Sequence, residues 1–98
     1  SSITTPEASD YGIDVIAEKD NIKYAIQCKN YSQPVGNRAI QEAYSGKNYY
    51  NCHVAIVVTN NRFTPNAIKQ AKMNNVVLWD RDKIEEMIDK LKTLKTLT

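Results

Sequence analysis

The sequence predicts an α/β domain: a mixed β-sheet flanked by helices, with an N-terminal antiparallel hairpin followed by parallel strands. Three observations point there. Residues 13–18 and 22–28 are short runs rich in Ile, Val, Tyr and Ala, separated by Asp20-Asn21, a pair suited to a tight hairpin turn. The run His53-Val-Ala-Ile-Val-Val-Thr59 is almost continuously apolar, the pattern of a strand buried on both faces of a parallel sheet. Segments with helical apolar spacing separate the strand-like runs that begin near residues 23, 53 and 76. Those strands should therefore run parallel, joined by right-handed crossovers.

Taken in order, Ile3-Thr4-Thr5 has strand propensity and stops at Pro6, and Glu7 to Gly12 is a polar loop. The hairpin follows, and Pro34 and Gly36 close its second strand. Asn37 to about Tyr50 reads as a helix with Ala39, Ile40, Ala43 and Tyr44 facing inward. Thr64-Pro65 is an N-cap followed by proline at the first helical position. The helix it opens should turn Ala67, Ile68 and Ala71 inward and end near Asn74-Asn75. Val76 to Trp79 is a short buried strand. Asp82 and Glu85 have capping-box spacing ahead of a last helix whose inward stripe is Ile84, Met87, Ile88 and Leu91, with fraying from Thr93.

Ninety-eight residues suit one domain, and 42% hydrophobic with 24% charged residues is ordinary globular composition. No apolar run is long enough for a membrane span, and no secretory leader is evident. The chain opens on Ser1-Ser2 without an initiator methionine and so reads as a fragment or processed product of a longer protein, whose other domains or anchor this sequence does not carry. A net charge of +2 neither requires nor excludes a nucleic-acid partner. Cys28 and Cys52 lack metal-ligand spacing, which argues against structural zinc. Both read as buried thiols, and a reducing cytoplasm is the expected compartment.

The chemistry is concentrated in the hairpin. Alternation along residues 22–29 places Tyr24, Ile26 and Cys28 on one face and Ala25, Gln27 and Lys29 on the other. An amide and an ammonium thus project together, and the adjoining strand can bring Asp14 beside them. A carboxylate, a neutral oxygen ligand and a lysine suit a hard divalent cation and a phosphate ester. The bland alternatives are a solvated carboxylate at a strand start and an exposed strand face. His53, Tyr49, Tyr50 and Trp79 read as structural residues. Lys19, Lys23, Arg38, Lys47, Arg62 and Lys69 are scattered cations of the kind that mostly serve solubility.

Asp14 with the Gln27-Cys28-Lys29 triplet resembles the PD-(D/E)xK nuclease superfamily. The run from Ser9 to Asn51, the segment VVTNNRFTPNAIKQA and VVLWDRDKIEEMI resemble the Mrr-type restriction endonuclease catalytic domain. The resemblance covers about Ser9 to Ile88 and implies a restriction-endonuclease-like fold whose usual N-terminal helix is missing from this chain. It implies hydrolysis of DNA phosphodiesters with Mg²⁺ or Mn²⁺. Asp14 and Gln27, with the Cys28 backbone carbonyl, would hold the metal, and Lys29 would position the attacking water. Glutamine at position 27 removes one negative charge, which predicts a weaker cation site. By the same resemblance Gln41 and Tyr44 are accessory candidates; Ser9 and Tyr11, in the loop leading to Asp14, and the cation Lys47 are candidate DNA contacts. DNA, a second copy of the chain and other domains of the parent are the implied partners. The alternative is a catalytically inactive DNA-binding or assembly module of the same fold. A nucleotide-binding domain is disfavoured, because no glycine-rich phosphate loop is present.

Overall fold

The computed structural model describes residues 1–6 and 10–97. Its elements are β1 (Ser2–Thr4), a single 3₁₀ turn (Asp10–Gly12), β2 (Val15–Lys19), β3 (Ile22–Lys29), α1 (Asn37–Tyr49), β4 (Val54–Thr59), α2 (Pro65–Asn74), β5 (Val76–Trp79) and α3 (Arg81–Leu97). One mixed sheet runs β1-β2-β3-β4-β5 in space. The first two pairings are antiparallel and the last two parallel. The α/β class expected from the sequence is therefore the one observed.

The hairpin between β2 and β3 follows from local chemistry. Asp20 and Asn21 both take left-handed conformations, with φ of 54° and 66°. Two consecutive positive φ values give the type I′ geometry that matches strand twist, and Asp and Asn tolerate it better than most residues. That turn sets Val15 opposite Ile26 and Lys19 opposite Ile22.

The crossovers β3-α1-β4 and β4-α2-β5 step the same way across the sheet. With right-handed connections, both helices must land on the same face. They bury Val35, Ala39, Ile40, Ala43, Ala67 and Ala71 against Ala55, Val57 and Val76. The alanines on α1 and α2 permit close approach to the sheet, while Ile40 fills the layer between. A fully buried isoleucine contributes about 1.5–3 kcal/mol. A smaller cluster of Ile13, Ala25 and Cys52, with Ile16 and Tyr50 against it, closes the hairpin end.

This one-sided cover corrects several expectations. Cys28 lies on the face away from α1 and α2 and is exposed, whereas Cys52 is buried as expected. Tyr44 and Ile68 are exposed, not inward; on α1 Gly46, not Tyr44, joins Ala39, Ile40 and Ala43 on the buried face. A methyl group at Gly46 would collide with the side chain of Ile13, so the missing side chain is what lets the hairpin dock on the helix. Val77 is also exposed, because β5 is an edge strand. The cap of α3 is Asp80, not Asp82: its Oδ1 accepts from the Lys83 N–H at 2.8 Å. This helix continues to Leu97 instead of fraying from Thr93, and Ile88 and Leu91 of its expected inward stripe are exposed.

The Thr64 cap forms as its sequence predicts, with Oγ1 accepting from the Ala67 N–H at 3.1 Å and Pro65 following. Replacing Thr64 with Ala should lower unfolding free energy by about 1 kcal/mol. Urea denaturation would show this as a lower midpoint with an unchanged slope.

Candidate functional site

The site lies where β3 outruns β2. The last backbone bond of the hairpin is from the Asp14 N–H to the Ile26 carbonyl, 2.9 Å. Along a strand, residues two apart direct their backbone groups to the same side, so Cys28 also turns its N–H and carbonyl toward β2. No β2 residue stands opposite Cys28. The Asp14 side chain replaces it, with Oδ2 accepting from the Cys28 N–H at 2.8 Å. The carboxylate is thus held against the Cys28 backbone, on the side to which the Cys28 carbonyl also turns.

Gln27 and Lys29 project from the opposite side of the strand's pleat, toward α1. Gln27 is 0% exposed, which makes its amide expensive unless satisfied. In its hydrogen-bonded orientation the amide nitrogen donates to the Ala39 carbonyl at 2.8 Å, and the amide oxygen accepts from Lys29 Nζ at 3.3 Å. The Lys29 ammonium also stands 5.5 Å from the centre of the Tyr31 ring, within cation–π range. One buried amide thereby joins strand, helix and lysine.

Tyr11 and Gly12 carry the loop over this amide, with φ of 58° and 67°. The left-handed conformation costs Tyr11 about 1–2 kcal/mol. Its ring is held by Tyr49, at a centroid distance of 5.3 Å. Gly12 is required twice over. A methyl group there would stand 2.5 Å from the Gln27 amide and 3.2 Å from Glu42 Oε2.

Of the accessory candidates, Gln41 is exposed and Tyr44 lies under Lys47, whose Nζ is 5.2 Å from the ring centre. The helix residue beside the amide is instead Glu42, one turn beyond Ala39, which the sequence reading did not single out. Its only signal was a charge bordering the inward stripe of α1. Tyr11 is exposed next to the site, while Ser9 lies outside the described residues. His53 serves structure: its Nδ1 accepts from the Lys23 N–H at 2.9 Å.

A cleft of about 360 Å³ opens between the end of β3 and α1, lined by Lys29, Tyr31, Gly36, Arg38 and Glu42 among others. Among the described residues no group of three or more His, Cys, Asp and Glu is placed to hold a metal ion. Asp14, the Cys28 carbonyl and the Gln27 amide oxygen are nevertheless all hard oxygen donors. Oxygen donors of these kinds are the ligand type that hard divalent cations take.

The Cys28 thiol is pushed above its ordinary range, first by partial burial and then by the Asp14 carboxylate. Burial also raises the Cys52 thiol, more than Lys23 lowers it.

Fold and site together define a small α/β domain with an oxygen-rich, lysine-bearing centre at the C-terminal end of its first parallel strand. The family model Mrr_cat, restriction endonuclease, matches residues 1–88, and the chain belongs to that family. Restriction endonucleases generally use divalent metals. No curated protein matches the chain. A crystal structure described as a protein of unknown function, AF1548, matches with a TM-score of 0.67 and 25% identity. The match covers 81% of this chain and 48% of that one, so this chain spans about half of its structural relative. Among the described residues no helix is long and apolar enough to cross a membrane.

Two outcomes test this geometry. Gly12→Ala should destabilise the fold by more than about 1 kcal/mol, because it forces a side chain into a positive-φ position as well as a collision. Guanidinium unfolding would measure it. At pH 8 Cys28 should alkylate more slowly than a free cysteine, since the thiolate is the reactive form and its fraction is reduced. Asp14→Asn removes the second cause of the raised pKa but not the first. The midpoint of the alkylation–pH curve should therefore fall toward, without reaching, the free-cysteine value. Peptide mapping by mass spectrometry separates Cys28 from Cys52.

Proposed function

We propose that this chain is the catalytic domain of an Mrr-like endonuclease that hydrolyses DNA phosphodiesters with Mg²⁺ or Mn²⁺. The observation that carries this reading is the pairing of two groups at the end of β3. A carboxylate is seated on the Cys28 N–H, and an ammonium is seated on the Gln27 amide. Family membership supplies the class of reaction.

In this reading Asp14, the Cys28 carbonyl and the Gln27 amide oxygen hold the cation. A divalent cation bound there would supply Lewis-acid chemistry, lowering the pKa of a water and offsetting charge on the phosphoryl oxygens. Lys29 lines the cleft beside Tyr31. It orients the attacking water and offsets phosphate charge. The buried amide fixes where that ammonium starts, so its alignment costs little at the moment of reaction. Tyr11 immediately precedes Gly12, which lies over the Gln27 amide, and Tyr11 and Lys47 are the proposed DNA contacts. One site of this size handles one strand, so double-strand scission would use a homodimer.

Incubating supercoiled plasmid with the chain and Mg²⁺ or Mn²⁺ should yield nicked or linear product. EDTA should abolish it, and Lys29→Ala should lower the rate by at least about a hundredfold, the low end for a positioned proton-transfer or electrostatic group. DNA retention without metal-dependent cleavage, unchanged by Lys29→Ala, would instead identify a non-catalytic binding module.

A further inference from the structure

We infer that Glu42 of α1 supplies a second carboxylate to the cation site, restoring the negative charge that glutamine at position 27 leaves out. This rests on the proposed cation site at Asp14 and deepens it. The space over the Gly12 α-carbon is bounded on one side by the Gln27 amide and on another by Glu42 Oε2. Both groups therefore converge on one small volume, two residues before Asp14. A methyl group there would collide with the amide and crowd Glu42, so the bare glycine is what lets loop, amide and carboxylate come this close.

The charge of Glu42 is weakly committed elsewhere. Its ion pair with Arg38 is long, Nε to Oε1 3.7 Å, and the Arg38 side chain is 94% exposed. An exposed i, i+4 pair of this kind contributes only about 0.3–0.5 kcal/mol. Glu42 itself is only about one-third exposed, at 34%. It borders the cleft that Lys29 enters. The proposed ligand set contains only one carboxylate, Asp14, beside an amide and a peptide carbonyl. Mg²⁺ sites commonly use one or two carboxylates together with waters, and a second anion here strengthens the attraction for a dication.

Position on the helix supports the same assignment. Ala39, whose carbonyl accepts from Gln27, and Glu42 are three residues apart and lie on one helix face. Gln41 is rotated away from that row and is exposed. The bond that anchors Gln27 to α1 thus also sets the height at which Glu42 stands beside the amide.

The test is Mn²⁺ binding alone, followed by electron paramagnetic resonance of the free ion, with the unaltered chain, Asp14→Asn, Glu42→Gln and Arg38→Ala. Far-ultraviolet circular dichroism verifies that each is folded. Glu42→Gln should weaken Mn²⁺ binding by at least about tenfold, the scale on which groups around a metal act. Asp14→Asn should weaken it as much or more, and Arg38→Ala should leave it unchanged or tighter. If Asp14→Asn weakens binding and Glu42→Gln does not, Glu42 is not a ligand and the inference fails while the cation site stands. If Arg38→Ala weakens binding as Glu42→Gln does, the ion pair itself is what matters and the inference is overturned. If the unaltered chain takes up no Mn²⁺, or Asp14→Asn binds it equally well, the underlying cation-site reading fails. Should Glu42→Gln not fold, Glu42→Asp replaces it: retained charge on a shorter reach should give intermediate affinity, and full affinity would overturn the assignment.

Discussion

A primary amide sealed from water must find partners for its polar groups, and that requirement at Gln27 organises the end of the sheet. Its nitrogen is satisfied by a helix carbonyl and its oxygen by a lysine ammonium. The first bond locks α1 to β3 at one height, and the second holds Lys29 over the strand end. The loop that closes over the amide can do so only because Gly12 has no side chain. Strand, helix, loop and lysine are therefore placed by one constraint. An apolar residue at position 27 would relieve it and leave Lys29 and the Ala39 carbonyl without their common partner.

The adjoining end of β2 shows a second economy of placement. A strand that stops early leaves its neighbour with unpaired backbone groups, and such groups need partners when sheltered from water. Here the Asp14 side chain takes the Cys28 N–H in place of a further backbone carbonyl. The same substitution positions a carboxylate beside the Cys28 carbonyl. Termination of the hairpin and formation of an oxygen-rich corner are one structural event.

The parallel half of the sheet provides the rigid support. β4 lies between β3 and β5 with Ala55, Ile56 and Val57 buried. The parallel ladder is extended past Lys29 by backbone bonds from Val35 to Arg62 and from Thr64 to Val35. Asn60 and Asn61 tie the intervening loop through both polar groups of the Tyr31 backbone. The segment that carries the Lys29 neighbourhood is consequently braced from two directions. Chemistry that depends on ångström-level alignment benefits from such bracing.

Local patterns in the chain determined much of this. Asp20-Asn21 specified the hairpin, Thr64-Pro65 specified a helix start, and the β4 run specified a central parallel strand, because each depends on nearest-neighbour stereochemistry or on burial of a short segment. Period-two alternation correctly grouped Gln27 with Lys29 and separated them from Cys28. It could not say which face would be covered. That was settled by the common hand of two crossovers, which put α1 and α2 on one side and left Cys28 exposed on the other. Likewise, i+3 and i+4 spacings were both compatible with the α1 stripe, so Tyr44 read as inward where Gly46 is. Only the docking of Ile13 distinguished them. Glu42 was invisible for the same reason: its neighbour in space is Gly12, thirty residues away in the chain. Short-range stereochemistry is written in sequence, whereas the meeting of distant groups depends on how covered faces and crossover hands assemble.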